Sequence, residues 1–547
     1  MQGKKEWHPK MMYQVHLEGL VPQSNFYRLL DRELDLRFLY KATEQYYGEE
    51  GQESIDPVVF FKTCLVGYLN NINSDRKLIE YCGNCLDVRL FLRYDIDEML
   101  PWHSTISRTR QLYGEEVFLA LFRKVLSLCV LKGMVSGKRQ AVDSALVKAN
   151  ASLDTLVEKE VLDDAAAYAA ELNENSEFKV TAQKKKEVEQ HHHWKKRTKK
   201  DIPGGDYAQG KEGDSGDFLQ AKYLSNHTHY SPTDPDARIA TKPGKPRNMN
   251  YLGQLSVDTA HHVITGAMAD FADKRDSQCL ENIVNQTSEN LISKGIQIEQ
   301  IIADTGYSSG ESLKYCEESK LDAYIPNFGQ YKPEREGFIY NKELDRYECQ
   351  RGNKALLPFK GIRKQHNGYE VKQYRSSESV CKNCPLREEC CGQKTKFKKL
   401  SHSIHKEYYD RMHKKLTDNK AYAQRMSRLR SSTVEPVLGT LINFLNMKRV
   451  NTRGIELANK HVLMAALTYN LKKYLKFIPK KVITNVIAMP ANEGSAFSLY
   501  FAAFGLFFRL FSGDLRPRFC VTKIPERKII TRQKGCDGAG VIEVRKN

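Results

Sequence analysis

The sequence predicts an α/β protein: a mixed sheet flanked by helices, an all-helical N-terminal domain and a small cysteine-rich insertion. Three observations lead there. Strand, hairpin, helix, strand and helix signals follow one another after residue 136. Ahead of them runs a block of helical periodicity. Cysteines then gather at Cys381, Cys384, Cys390 and Cys391, with Cys349 upstream.

Residues 1–135 form the helical domain. In DPVVFFKTCLVGYLNN, Asp56 is placed to cap a helix and Pro57 to sit in its first turn. Ser74 and Asp75 can cap the next helix, and one or two more run from Ser104 onward. Such a set resembles a helix-turn-helix module, although a plain helical bundle has the same periodicity. Residues 136–340 hold the first part of the sheet. A short strand around Val142 carries Asp143, Tyr251–Val257 and Val263–Met268 make a hairpin, and Gln278–Lys294 is helical. IEQIIADTGYSS is a strand ending at Asp304, with Gly306 opening a tight loop. The stretch near 155–220 is charged, glycine-rich and without apolar period, the pattern of a mobile insert. Residues 341–400 are the cysteine-rich insertion. Residues 401–475 complete the sheet unit with a helix expected to begin near Glu435, Pro436 in its first turn. Residues 476–547 are an extension without a usable pattern.

A net charge of +18 and a pI near 9.1 favour a polyanionic partner, nucleic acid first, over an indifferent basic surface. The N-terminus has no apolar h-region, so the expected location is the cytoplasm. The longest apolar run, Ala496 to Phe511, is interrupted by Arg509 and falls short of the ~20 residues of a spanning helix, so no membrane is expected. With 13 cysteines and no export signal, metal binding or buried thiols outrank a disulfide framework.

Two constellations carry chemistry. Asp143 on a strand, Asp304 at a strand end and Glu435 on a crossing helix can converge, and their hard oxygens suit Mg²⁺ or Mn²⁺. Singly, each acid has an ordinary use as a turn cap, a loop acid or a helix-terminal charge. Asp258, Asp234 and Asp236 are rivals, and His227, His229, His261 and His262 form a weaker alternative metal set. The second constellation is Cys349, Cys381, Cys384 and Cys390, which have the donor types of a structural Zn²⁺ site, with Cys391 competing for the fourth place. Reduced, metal-free cysteines are the other reading. Arg425, Arg428 and Arg430 stand just ahead of Glu435, where a scissile phosphate would lie. Trp194, within the densest basic run, can stack on a base or pack inward, and His191–His193 beside it read as solvated.

The segments AVDSALVKANAS, YSPTDPDARIATK, NYLGQLSVDTAHHVITGAMAD, IIADTGYSSGESL and STVEPVLGTLINFLNMKRV resemble bacterial insertion-sequence DDE transposases, most closely the insertion-sequence family eleven-eighty-two. The resemblance implies an RNase H-like core and Asp143, Asp304 and Glu435 as catalytic acids holding two Mg²⁺ or Mn²⁺ ions. It implies binding of terminal inverted repeats, phosphodiester hydrolysis and strand transfer into target DNA. The partners are double-stranded DNA and a second copy in a synaptic homodimer. A decayed transposase acting as a DNA-binding regulator, or a metal-dependent nuclease without strand transfer, would share most of these residues. A related branch has Arg four positions before the Glu and Lys six after, where this chain has Ser431 and Leu441. Arg428, Arg430, Lys448, Arg449 and Arg453 are the substitutes for those phosphate contacts.

Overall fold

The structure is a computed structural model describing residues 16–48, 54–158, 225–226, 229–241, 246–327, 329, 331–365, 368–392 and 395–477. The expectations for His191–His193, Trp194, His227, most of the charged insert, the run Ala496–Phe511 and the extension past Phe477 fall outside those residues.

The helical block comprises α1 (Leu17–Leu20), α2 (Phe26–Glu33), α3 (Phe38–Thr43), α4 (Pro57–Leu69), α5 (Asp75–Asn84), α6 (Leu86–Leu92), α7 (His103–Leu112) and α8 (Glu115–Leu131). α4 starts as its sequence dictates: Asp56 Oδ1 accepts from Val58 N at 2.6 Å and Val59 N at 3.2 Å, with Pro57 following. Ser74 makes no side-chain cap to α5, and Asp75 instead grips Arg110 of α7 through two bonds of 2.8 and 3.0 Å. α4 buries Phe60 through Gly67, all sides of the helix, as an apolar-all-round helix must. It therefore has no face to lay in a DNA groove.

The main sheet is built on β1 (Arg139–Lys148). The short pair β2 (Val157–Glu158) and β3 (His229–Tyr230) stands apart from it. β4 (Arg238–Ala240) and β6 (Ile264–Phe271) both pair with β5 (Asn248–Asp258), and β5 runs antiparallel to β1. β7 (Gln300–Ile302) and β8 (Asp322–Tyr324) continue parallel on the other side of β1. An antiparallel hairpin on one side of β1 and parallel strands on the other is consistent with an RNase H-like sheet.

Strand alternation sorts β1 between two cores. Ala141, Ala145 and Val147 join a cluster that also holds Phe60 and Phe118 of the helical block, Val434 and Leu441 of α14, and Val462 and Leu463 of α15. The helical block and the sheet thus share a continuous core. Val142 faces the other way, onto Leu280, Ile283 and Val284 of α9 (Asp276–Ile292). α10 (Gly310–Glu318) links β7 to β8, and α13 (Lys406–Asp418), α14 (Lys420–Phe444) and α15 (Ile455–Lys476) come last. α15 also closes the exposed edge of β6. Asn470 bonds both Ile264 N and Ile264 O, and Asn459 Oδ1 accepts from Ala269 N, so unpaired edge groups are satisfied.

The Glu435 helix does not begin at Glu435. α14 starts fifteen residues earlier, capped by Asn419, and Pro436 lies inside it. The preceding turns are held by packing: Met426 and Val434 are buried, and Tyr422 meets Tyr324 edge-on at 5.2 Å. That packing outweighs the ~3 kcal/mol cost of an interior proline.

Residues 338–403 contain a second, antiparallel sheet: β9 (Phe338–Asn341), β10 (Arg346–Cys349), β11 (Leu356–Lys364), β12 (Glu370–Arg375) and β13 (Lys399–Ser403), in consecutive order. Its core is Tyr347, Leu357 and Tyr374, with His402 Nδ1 2.8 Å from the Tyr347 hydroxyl. α11 (Glu378–Lys382) and α12 (Arg387–Cys391) lie between β12 and β13. Among the described residues no helix is long and apolar enough to cross a membrane.

Candidate active site

Parallel register puts the first two acids side by side. Ala141 of β1 pairs with Ile302 of β7, and Asp143 and Asp304 each lie two residues beyond that pair. Asp304 ends its strand as the cap of a single 3₁₀ turn, Thr305–Tyr307, its Oδ1 accepting from Gly306 N at 2.9 Å. Asp143 is tied to α14 by Arg430, far along the chain. The guanidinium donates to Asp143 Oδ2 at 2.6 Å and to Glu435 Oε1 at 3.3 Å. Arg430 is itself only 13% exposed, while Glu435 is 61% exposed and faces solvent.

A fourth carboxylate stands near Asp304, and sequence reading did not name it. Asp276, the first residue of α9, accepts from Ser144 Oγ at 2.5 Å. A Cβ at Gly306 would stand 3.0 Å from Asp304 Oδ1 and 3.1 Å from Asp276 Oδ2, so the two carboxylates flank this glycine closely. Nothing in FADKRDSQCL distinguishes Asp276 from any acid at a helix start, where the dipole favours one. Beneath the acids lies Tyr307. Burial, then the charges of Asp276, Asp143 and Asp304, push its phenol far above the usual range. It stays protonated and donates to Gln254 Oε1.

The rival acids have structural work. Asp258 is fully buried and accepts from Gly137 N, Ala260 N, Ser136 Oγ and Gln140 Nε2. Asp234 accepts from Tyr251 Oη and Gly454 N, and Asp236 from Ile455 N, which fastens the start of α15. His261 packs edge-on against Phe477 at 4.8 Å.

Among the described residues no three of the His, Cys, Asp or Glu side chains stand as a metal-holding group. The expected zinc site finds no support among the described residues. Cys349, Cys381, Cys384, Cys390 and Cys391 do line one small cavity. But the Cys349 thiol turns to the Arg351 carbonyl at 2.9 Å and the Cys381 thiol to Ser376 Oγ at 3.0 Å. Cys384 lies instead against Gly352.

Of the basic candidates, Arg430 alone contacts the acids directly. Arg425 and Arg428 are exposed on the turns of α14 before it. Lys448, Arg449 and Arg453 are exposed beyond α14, where Lys148 N donates to Lys448 O and Asn73 Nδ2 to Arg449 O, joining the end of β1 to the helical block.

Residues 15–112 match the model of a transposase domain, DUF772, and residues 348–475 that of a transposase DDE domain. The second match takes in Glu435 and the cysteines and leaves out Asp143 and Asp304. No curated protein matches. A solved structure described as a piggyBac transposase synaptic complex with hairpin DNA is 10% identical, with 86% of each chain covered. Its TM-score of 0.22 is too low to carry an argument. Two separate transposase-domain models thus meet on one chain, at its helical block and at the stretch bearing Glu435, and together they support a transposase of the DDE kind.

Proposed function

We propose that the chain binds the terminal inverted repeats of its own element, hydrolyses a phosphodiester there and joins the freed 3′ end to target DNA. Asp143, Asp304 and Glu435 are the catalytic acids. The observation that supports this best is their linkage across three distant segments: the β1–β7 register sets Asp143 level with Asp304, and Arg430 bridges Asp143 to Glu435.

The donors are carboxylate oxygens, which fit Mg²⁺ or Mn²⁺. Two such ions supply a polarised nucleophile and charge neutralisation at the leaving oxygen. Asp143, Asp304 and Glu435 would hold them, with Arg430 swinging from the carboxylates toward the scissile phosphate. Arg425 and Arg428 hold the flanking backbone, and Lys448, Arg449 and Arg453 hold duplex further along. Tyr307, kept neutral, forms a floor that adds no charge to the acids. Two ends must be cut in concert, so the working form is a homodimer on double-stranded DNA.

The test is cleavage of a supercoiled plasmid carrying the element's ends, by wild type and Asp304→Ala, in Mg²⁺, Mn²⁺ and EDTA. Cleavage that requires the ion and disappears in the variant is the expected result. End binding without any cleavage by folded wild type would make the protein a DNA-binding regulator. Cleavage without joined products would make it a nuclease.

A further inference from the structure

The cysteines of the second sheet take no part in the proposed reaction, yet the fold gathers them. Cys349 comes from β10, Cys381 from α11, Cys384 from the turn after it, and Cys390 and Cys391 from α12. All five line one cavity of about 20 Å³. That is room for a single water-sized molecule, which needs about 10–15 Å³. Cys381 is buried, and the other four are half-buried.

Most of the other described cysteines are different. Burial pushes the thiols of Cys82, Cys129, Cys279 and Cys316 up to about 12, and that of Cys64 up to about 11. A thiol held so high supplies almost no thiolate, which is the reacting species. Within the cavity, burial and the neighbouring Cys390 push Cys391 up to about 11 as well. Arg387 and Lys398 line the same wall, an electropositive setting of the kind that reactive cysteines occupy.

Two of the five sulfurs meet at one place. The Cys349 thiol donates to the Arg351 carbonyl at 2.9 Å. The Cys384 sulfur lies close to where a Cβ at Gly352 would stand. The Arg351 carbonyl and the Gly352 Cα belong to one peptide unit, so both sulfurs rest against the same piece of the turn between β10 and β11. Asn353 Nδ2 donates to Val380 O at 3.1 Å and holds that turn against α11. The Cys381 thiol is engaged elsewhere, at Ser376 Oγ.

We propose that Cys349 and Cys384 form a reversible oxidation site, closed to a disulfide by hydrogen peroxide and reopened by small thiols. The Cys349 thiolate attacks one peroxide oxygen. An S–O bond forms, the O–O bond breaks, and the departing hydroxide takes a proton to become water. The Cys384 thiolate then attacks the sulfenic sulfur. The S–S bond forms, the S–O bond breaks, and a second water leaves. In all, two thiols lose two electrons and two protons, and one peroxide becomes two waters. Two molecules of a thiol reductant reverse the change by thiol–disulfide exchange, leaving as their own disulfide. The bond staples the β10–β11 turn to the segment after α11. This site stands independently of the transposase reading.

The experiment is peptide mapping by mass spectrometry on the full chain, after hydrogen peroxide and rapid alkylation, without DNA or added metal. The expected result is a cross-linked peptide pair joining Cys349 to Cys384, with the loss of two alkylatable thiols per chain and their return in dithiothreitol. Cys349→Ser and Cys384→Ser each abolish that pair, while Cys391→Ser forms it in wild-type yield. No thiol loss in wild type, or a predominant pair that includes Cys381, Cys390 or Cys391, overturns the site. Oxidation of the cluster to sulfinic acid without a cross-link overturns it too. So does a purified chain whose cluster holds zinc and cross-links only after a chelator strips the ion, because these thiols are then metal ligands.

Discussion

Arg430 occupies the position of most consequence among single residues. Its charge lies where a divalent ion would compete for Asp143, at a contact of 2.6 Å in a partly buried setting. A charge-assisted hydrogen bond of this kind contributes about 1.5–3 kcal/mol. Removing it in Arg430→Gln should lower the Mn²⁺ concentration for half-saturation about tenfold, measured by water-proton relaxation, while plasmid cleavage falls because the phosphate contact goes too. An unchanged Mn²⁺ titration would show that the guanidinium does not compete. Asp276 makes a second expectation. Asp276→Asn keeps the shape at Gly306 but removes charge beside Asp304, and cleavage should drop about tenfold or more, equivalent to about 1.4 kcal/mol in the barrier. A full cleavage rate in that variant would make Asp276 only a helix-start acid. The three expected acids were legible because short motifs surround them. Asp276 was not, because a helix-start aspartate has an ordinary explanation and only the fold brings it to Gly306.

The elements differ in how they balance local preference against packing. Pro436 lies inside α14, where its ring crowds the carbonyl one turn earlier and forfeits a backbone bond. Pro436→Ala should therefore raise the melting temperature by a few degrees. Cleavage should fall in the same variant, because the relaxed helix re-aims Glu435. No thermal change would mean that the helix already absorbs the proline without strain. On the opposite face of the sheet, β6 meets α9 so closely that a Cβ at Gly266 would stand 2.3 Å from Thr287 Oγ1, and Thr287 is fully buried. Gly266→Ala should destabilise the protein by about 1–3 kcal/mol, seen as a lower thermal midpoint. The hairpin and α9 were placed by the sequence to within a few residues, because turn residues bound each apolar run there. α14 was begun too late, since a proline after Glu435 reads locally as a first turn.

For the whole molecule, one buried and one half-buried histidine respond to pH. His461 of α15 lies 2.7 Å from the Tyr68 hydroxyl of α4, and His402 sits in the core of the second sheet. Burial lowers His461 to about 4; burial, with Lys406 and Lys372 nearby, lowers His402 to about 4. An unfolded imidazole titrates near ~6.5, so below that pH the unfolded chain binds protons that the folded chain refuses. The contribution of these groups to stability is complete above pH ~6.5 and drains away as the pH falls toward 4. Thermal midpoints recorded across that interval should decline, and His461→Gln should decline less steeply than wild type. Parallel slopes would mean that His461 takes up its proton without opening the α4–α15 contact.

The amino-acid sequence by itself determined the class of fold, the strands that carry Asp143 and Asp304, the cap at Asp56 and the acids to suspect, because each is written in local patterns of a few residues. Only the tertiary structure decided which acids meet. The β1–β7 register sets Asp143 level with Asp304 and Arg430 bridges Asp143 to Glu435, while Asp258 and Asp234 are drawn into backbone hydrogen bonds. The same holds for the cysteines: spacing suggested a metal knuckle, and it is the fold that lines them along one small cavity, with the Cys381 thiol at Ser376 and the Cys349 thiol at the Arg351 carbonyl. Convergence of side chains from distant segments depends on strand register and helix packing, and neither is encoded in any window of residues short enough to read as a motif.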